Sequence, residues 1–308
     1  MAEATYARAS IAQGSKSFAA AARLLPAHTR DDVSKLYAWC RHCDDVIDGQ
    51  VLGHGEQLVV DAGGKLADLR NKTDAALEGR ATGEAVFDGF GPVARTHGIT
   101  PRLAHDLLDG FQKDVAQERY PSPDALIHYC YGVAGSVGVM MALVLGVKPD
   151  DADTLDRACD LGLAFQMTNI ARDVVADAHA ERVYLPTSWL DEAGVAPTPE
   201  AVRAAENKDA VFQVASRLVS AAEDYYQSAD VGVARLPFRS AWAIASASTV
   251  YRAIGEARRT AGPEGLATRA RTTGMQKLTI IALSTIKAAR RERGVTARNG
   301  LWQRPERP

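Results

Sequence analysis

Between Leu155 and Asp177 the sequence reads as one long helix whose middle, Leu161 to Ala171, carries no charged residue. A helix that is apolar nearly all round belongs inside a protein. Yet Gln166, Asn169, Asp173 and Asp177 recur at steps of three, four and four residues. They form one polar line about 16 Å long on a helix of this pitch, with Arg172 beside it. A chain that buries such a line must surround it with other elements and give its polar groups something to bind.

A second segment, Thr29 to Asp48, repeats the pattern. Thr29 or Asp31 is the candidate N-cap. Val33, Leu36, Tyr37 and Cys40 mark the core-facing stripe, and three- and four-residue steps carry it on to Asp44, Ile47 and Asp48. Asp44 and Asp48 are therefore neighbours on the inward face, where like charges repel. Read alone, the run Asp44, Asp45, Asp48 could be a solvated acidic helix end, and Asp45 is read that way. The polar line on the second helix favours an inward site. Asp44, Asp48, Asn169, Asp173 and Asp177 offer hard oxygen donors with no His or Cys among them, which selects magnesium or manganese over zinc. Magnesium keeps waters and is held by few carboxylates plus substrate phosphates. The missing ligand is then an anion, with diphosphate the natural candidate and Arg41 and Arg172 placed to bind its remaining oxygens.

The rest of the chain supplies the enclosure. Helical periodicity dominates its 308 residues and no convincing period-two strand interrupts it. Glycine- and proline-bearing breaks separate the periodic segments, which predicts one all-α helical bundle around a central cavity. The ordered core is expected over about residues 10–290, with a polar tail disordered over Gln303 to Pro308. Tyr129 to Val147 carries no charge and is rich in small residues. Val133, Ala134, Val137, Gly138 and Met141 share one side by helical spacing. That face serves either close helix packing or a wall cut back for a long apolar ligand. A net charge of −2 gives no electrostatic case for nucleic acid. The start of the chain has no apolar run of the secretory type, and four cysteines make no disulfide framework. A cytoplasmic protein is expected. Cys40 and Cys43 form a C-x-x-C, but without a βαβ context or a second ligand pair it reads as packing.

Four stretches carry a resemblance to a known family: Gly14 to Phe18 (GSKSF), Tyr37 to Asp48 (YAWCRHCDDVID), Tyr129 to Gly138 (YCYGVAGSVG), and Leu161 to Pro186. The last holds L-G-x-x-x-Q-x-x-N-x-x-R-D-x-x-x-D followed by R-x-Y-L-P. The chain resembles the squalene and phytoene synthase family over about residues 10–290, and is most similar to its bacterial phytoene-forming members. Two positions depart from the pattern. Ala176 stands where an acid is common, and Glu181 where glycine is common; neither is a ligand position.

The resemblance implies a single-domain isoprenoid synthase bundle. It implies that Asp44 and Asp48 on one helix, and Asn169, Asp173 and Asp177 on the other, hold magnesium. Ser15, Ser17, Tyr37, Arg41, Gln166, Arg172 and Tyr251 would contact prenyl diphosphate, Tyr129 would lie near the reacting carbons, and Val133, Ala134, Val137 and Gly138 would line the tunnel. The implied reaction joins two geranylgeranyl diphosphates head to head through a cyclopropyl diphosphate, with no NADPH. Dehydrosqualene formation from farnesyl diphosphate and a non-catalytic assembly role are the alternatives. The expected setting is peripheral association with a membrane, with Arg290 to Arg298 the candidate should an electrostatic anchor exist.

Overall fold

The computed structural model of the chain describes residues 7, 9–11, 16–50, 60–267, 273–290, 297–298 and 300–305. These residues form helices and no strand: α1 (Lys16–Ala22), α2 (Ala27–Asp48), α3 (Ala62–Leu77), α4 (Ala85–His97), α5 (Pro101–Val115), α6 (Pro123–Cys130), α7 (Ser136–Val144), α8 (Ala152–His179), α9 (Thr187–Glu192), α10 (Pro199–Arg203), α11 (Lys208–Val233), α12 (Phe238–Thr260) and α13 (Gly274–Arg290), with a π-helical turn over Tyr131–Gly135 joining α6 to α7.

Local sequence explains where the helices start. Thr100, Ser122 and Thr198 cap α5, α6 and α10 through their side chains, each followed by a proline that needs no donor in the first turn. Asp151 caps α8 by accepting from Thr154 N at 3.1 Å. The expected cap of α2 is not formed. The helix begins at Ala27, before both Thr29 and Asp31, and Pro26 occupies the cap position without a side-chain bond. Proline's fixed φ enters a helix readily without such a bond.

Helix α8 is the axis of the bundle and packs most extensively along α11, with α7 and α12 also against it. Its crossing with α7 is set by two glycines. A Cβ on Gly138 would meet Ala158 O at 2.3 Å, and one on Gly162 would meet Ala134 O at 2.2 Å. The small-residue face therefore serves close packing and, as described below, the cavity wall as well. The π-helical turn lies inside the segment expected to be one regular helix. It adds a residue to the turn, and Gly132 there passes so close to α5 that a Cβ would meet Gly110 Cα at 2.8 Å.

Two expectations need correction. Asp45 is not solvated: it is 8% exposed and accepts from Arg41 Nε at 2.9 Å. The run of acids made it look like part of a solvated helix end, but its i, i+4 spacing from Arg41 puts it within that side chain's reach. The tail is not disordered through Gln303 to Pro305. Arg304 Nε donates to Asp156 at 2.9 Å. Arg298 binds Asp160 through two bonds of 2.7 Å, and Trp302 lies 5.2 Å from the Tyr131 ring. Asp160 is wholly buried, so a partner arginine is needed there, and composition alone does not reveal it. Residues 306–308 lie outside those described. Arg298 is thus committed to the core, which removes it from the candidate anchor.

Candidate active site

A cavity of about 480 Å³ opens between α1, α2, α5, α7, α8, α11 and α12. One end is polar. Tyr37, Arg41 and Asp44 reach it from α2, Gln166, Asn169 and Arg172 from α8, and Tyr251 from α12. The remainder is largely apolar, with Thr154 and Arg157 at its far end, and includes Val133, Ala134, Val137 and Gly138, the residues for which the resemblance implies a tunnel wall. Between the two stands an aromatic wall. Phe165 stacks on Tyr251 at 4.2 Å, and Phe18 lies within 6.1 Å of Tyr37, Phe165 and Tyr251. Electron-rich ring faces at the border of a polar and an apolar zone suit a carbocation.

The two acidic stripes approach one another near the polar end, where Asp44 alone of their carboxylates lines the cavity, and three of the four carboxylates lie beside a guanidinium. Asp44 Oδ2 lies 2.9 Å from Arg41, Asp48 Oδ1 lies 2.7 Å from Arg182, and Asp173 Oδ1 accepts from Arg172 Nε at 2.9 Å. Enclosure away from bulk water raises the pKa of Asp44, and the Asp48 charge adds to it. Enclosure followed by the Asp173 charge pushes Asp177 up to about 8. The Asp177 carboxylate has no hydrogen bond or ion pair among the described residues. Asn169 Oδ1 is buried without a partner.

This donor set fits a hard divalent cation. Its groups are all oxygens, its charges repel one another, and one buried carbonyl oxygen lacks a hydrogen bond. Among the described residues no three acidic, His or Cys side chains group tightly enough to hold an ion by themselves. That is the arrangement expected where substrate phosphate supplies part of the coordination.

Six predicted residues stand differently. Asp48, Asp173 and Asp177 are not part of the cavity lining; of the expected metal-holding set only Asp44 and Asn169 line it. Tyr129 is 3% exposed and does not line the cavity. Its hydroxyl donates to Asp114 at 3.0 Å, in a stack with Tyr120 and Tyr184 behind the cavity wall. Ser15 lies outside the described residues, as does the side chain of Ser17.

Sequence reasoning missed Asp114, Tyr184 and the role of Arg182. Tyr184 also donates to Asp114, at 2.9 Å. Burial raises Asp114 to about 6, although the Arg182 charge opposes the shift. The signal was available: Asp114 follows Leu103, Leu107 and Phe111 on one helical face by steps of four, four and three.

The squalene/phytoene synthase family profile matches residues 11–276. The chain belongs to that family. Its relatives include a phytoene synthase of Pseudescherichia vulneris, 49% identical over 304 residues that cover 97% of each chain. A 15-cis-phytoene synthase of Pantoea ananas is 49% identical over 299 residues, 96% of each chain. Among solved structures, a dehydrosqualene synthase bound to a ligand superposes with a TM-score of 0.83 at 24% identity, covering 94% of this chain and 97% of that one. A squalene synthase from Alicyclobacillus acidocaldarius gives 0.71 at 22% identity, covering 84% and 92%. Both share the helical fold of this squalene/phytoene synthase family member.

Proposed function

We propose that this enzyme condenses two geranylgeranyl diphosphates to phytoene. The observation that carries the reading is one continuous cavity, polar and arginine-lined at one end and apolar beyond, in a chain half identical to proteins named phytoene synthases. In the first half-reaction a C–O bond breaks, diphosphate leaves, and the allyl cation alkylates the second molecule's double bond. Loss of a proton closes the cyclopropane. In the second, the cyclopropylcarbinyl C–O bond breaks, the skeleton rearranges, and a further proton leaves. Two diphosphates and two protons depart, so no reductant is consumed.

Asp44, Asp48, Asn169, Asp173 and Asp177 would hold magnesium, with manganese a substitute. Bound there, the metal would draw charge onto the leaving diphosphate. Arg41 and Arg172 bind its remaining oxygens, and Gln166, Tyr37 and Tyr251 complete the contact. The aromatic wall stabilises the cation, and the apolar tunnel keeps water from it. Incubation with magnesium and geranylgeranyl diphosphate should yield a forty-carbon hydrocarbon without any nicotinamide cofactor. Mass analysis reads the product, and a thirty-carbon product from mixed farnesyl and geranylgeranyl diphosphates would overturn the assignment.

Such a product is insoluble in water, so the enzyme works at a membrane surface as a peripheral protein on the cytoplasmic side. Pro123–Val144 is long and apolar enough to cross a bilayer, but 61% of its most apolar stretch is buried in the protein. It is better suited to the core. The contact face we assign is on α13, where Met275, Leu283 and Ile286 are 75%, 60% and 51% exposed on one helical side. It extends to Phe238 at 42% on α12, and α12 also walls the cavity. Liposome flotation should therefore change little between low and high salt. Binding abolished by moderate salt would show an electrostatic anchor instead.

A further inference from the structure

The cavity follows α8 from Arg172 to Thr154, a run of about 27 Å at the helical rise. At its far end, among apolar groups such as Val147, Val233 and Leu236, stands one charged side chain, Arg157. Arg157 is 4% exposed. Its guanidinium is drawn away by polar partners: Nε donates to Asp153 at 3.0 Å, and Nη1 donates to Ser228 O at 3.2 Å and Ser228 Oγ at 3.3 Å. Arg235 closes the same corner, 2.5 Å from Asp153 and 2.9 Å from Thr154 Oγ1. These bonds tie the start of α8 to α11 and the turn after it. The aliphatic stem is placed as firmly as the head. Gly232 lies against it, and a Cβ there would meet Arg157 Cβ at 2.8 Å. The glycine lets the stem lie flat between two helices, with its apolar side toward the tunnel.

We infer that the Arg157 stem, held by Asp153 and Ser228 and bedded on Gly232, is the floor of the tunnel and sets the longest prenyl chain the enzyme accepts. The inference rests on the prenyl-diphosphate reading of the cavity. A charged residue here does what an alanine or leucine would not. Its stem presents methylenes to the prenyl tail, while its head fastens the two helices that would have to part for a longer chain to pass.

The test begins with the native protein and non-ionising thiolodiphosphate analogues of fifteen, twenty, twenty-five and thirty carbons, with magnesium present. Affinity should rise from fifteen to twenty carbons and then fall by at least about tenfold. Affinity that keeps rising beyond twenty carbons overturns the floor. Arg157→Ala should admit the twenty-five-carbon chain, raising its product share against the twenty-carbon substrate by about tenfold or more. Arg157→Met keeps most of the stem but loses the head's bonds, and should shift the distribution less than Arg157→Ala does. Product ratios come only from molecules that turn over, so partial unfolding lowers the yield without moving the ratio. An unchanged ratio in Arg157→Ala, or an equal shift in Arg157→Met, overturns the inference. If native protein binds no prenyl analogue of any length, it is the proposed function that fails.

Discussion

Asp44→Asn is expected to lower turnover by about a thousandfold or more, since on the proposed reading it removes a charged oxygen from the set that would hold the metal, which draws charge onto the departing diphosphate. Asp177→Asn should do the same. The more telling result is stability. Both carboxylates have pKa values raised above the ordinary range by enclosure and by a neighbouring acid, Asp48 for the first and Asp173 for the second. An acid whose folded pKa exceeds its unfolded value favours the folded state only while protonated. That contribution is complete below about pH 4, the unfolded value, and fades as pH rises, through about 8 for Asp177. The asparagine variants bypass this loss. They should lie closest to the native protein at pH 4 and melt higher at pH 8 when no metal is added. Melting curves at the two pH values, with circular dichroism to confirm the helices, check this. Variants that melt much lower while turning over normally would make these aspartates structural.

How much of this was legible in the sequence depends on which physical signal carried it. The two stripes were legible because a 3.6-residue period fixes which side chains share a face. Gln166, Asn169 and Arg172 do line the cavity with Tyr37, Arg41 and Asp44. The cavity-lining positions Val133, Ala134, Val137 and Gly138 were legible too, although the π-helical turn through the first two was not. One extra residue in a turn shifts phase without altering composition. Asp45 was misread because a run of three acids resembles a solvated helix end. What distinguishes it is an arginine four residues back, and the choice of Asp45 alongside Asp44 as its partner depends on where the helix sits. Asp114 was missed for a related reason. A single acid near the end of a helix is common on surfaces; its place on the Leu103, Leu107 and Phe111 face was the one local sign, and Tyr129 and Tyr184, brought from other segments, show it enclosed. The C-terminal strap was the least legible. Arg298 and Arg304 look like a basic tail until Asp156 and Asp160 are seen facing them from α8. Pairings across some 140 residues leave no local trace.

Magnesium and inorganic diphosphate together should raise the melting temperature by more than the sum of their separate effects. The reason lies in who holds the aspartates. Asp44, Asp48 and Asp173 each lie beside an arginine, namely Arg41, Arg182 and Arg172. Metal alone must compete with those guanidinium groups for carboxylate oxygens. Diphosphate alone must approach guanidinium groups already neutralised by carboxylates, with Asp177 adding negative charge nearby. Each ligand thus meets a site whose partners are engaged, and its binding alone is weak. When both arrive, the metal takes the carboxylates and the diphosphate takes the arginines, so neither set loses its counter-charge. Two ligands that each lower the other's cost have a positive coupling free energy, and it is reciprocal. By linkage, stabilisation grows with occupancy, so a coupled pair gives a shift that neither ligand reaches alone at the same concentration. Thermal melts across a grid of magnesium and diphosphate concentrations measure the coupling directly. Arg182→Gln separates this account from simple charge addition, because it frees Asp48 for metal while removing one guanidinium from the exchange. Metal binding without diphosphate should then strengthen, and the excess shift should shrink. Strictly additive shifts in the native protein would mean that metal and diphosphate occupy separate sites.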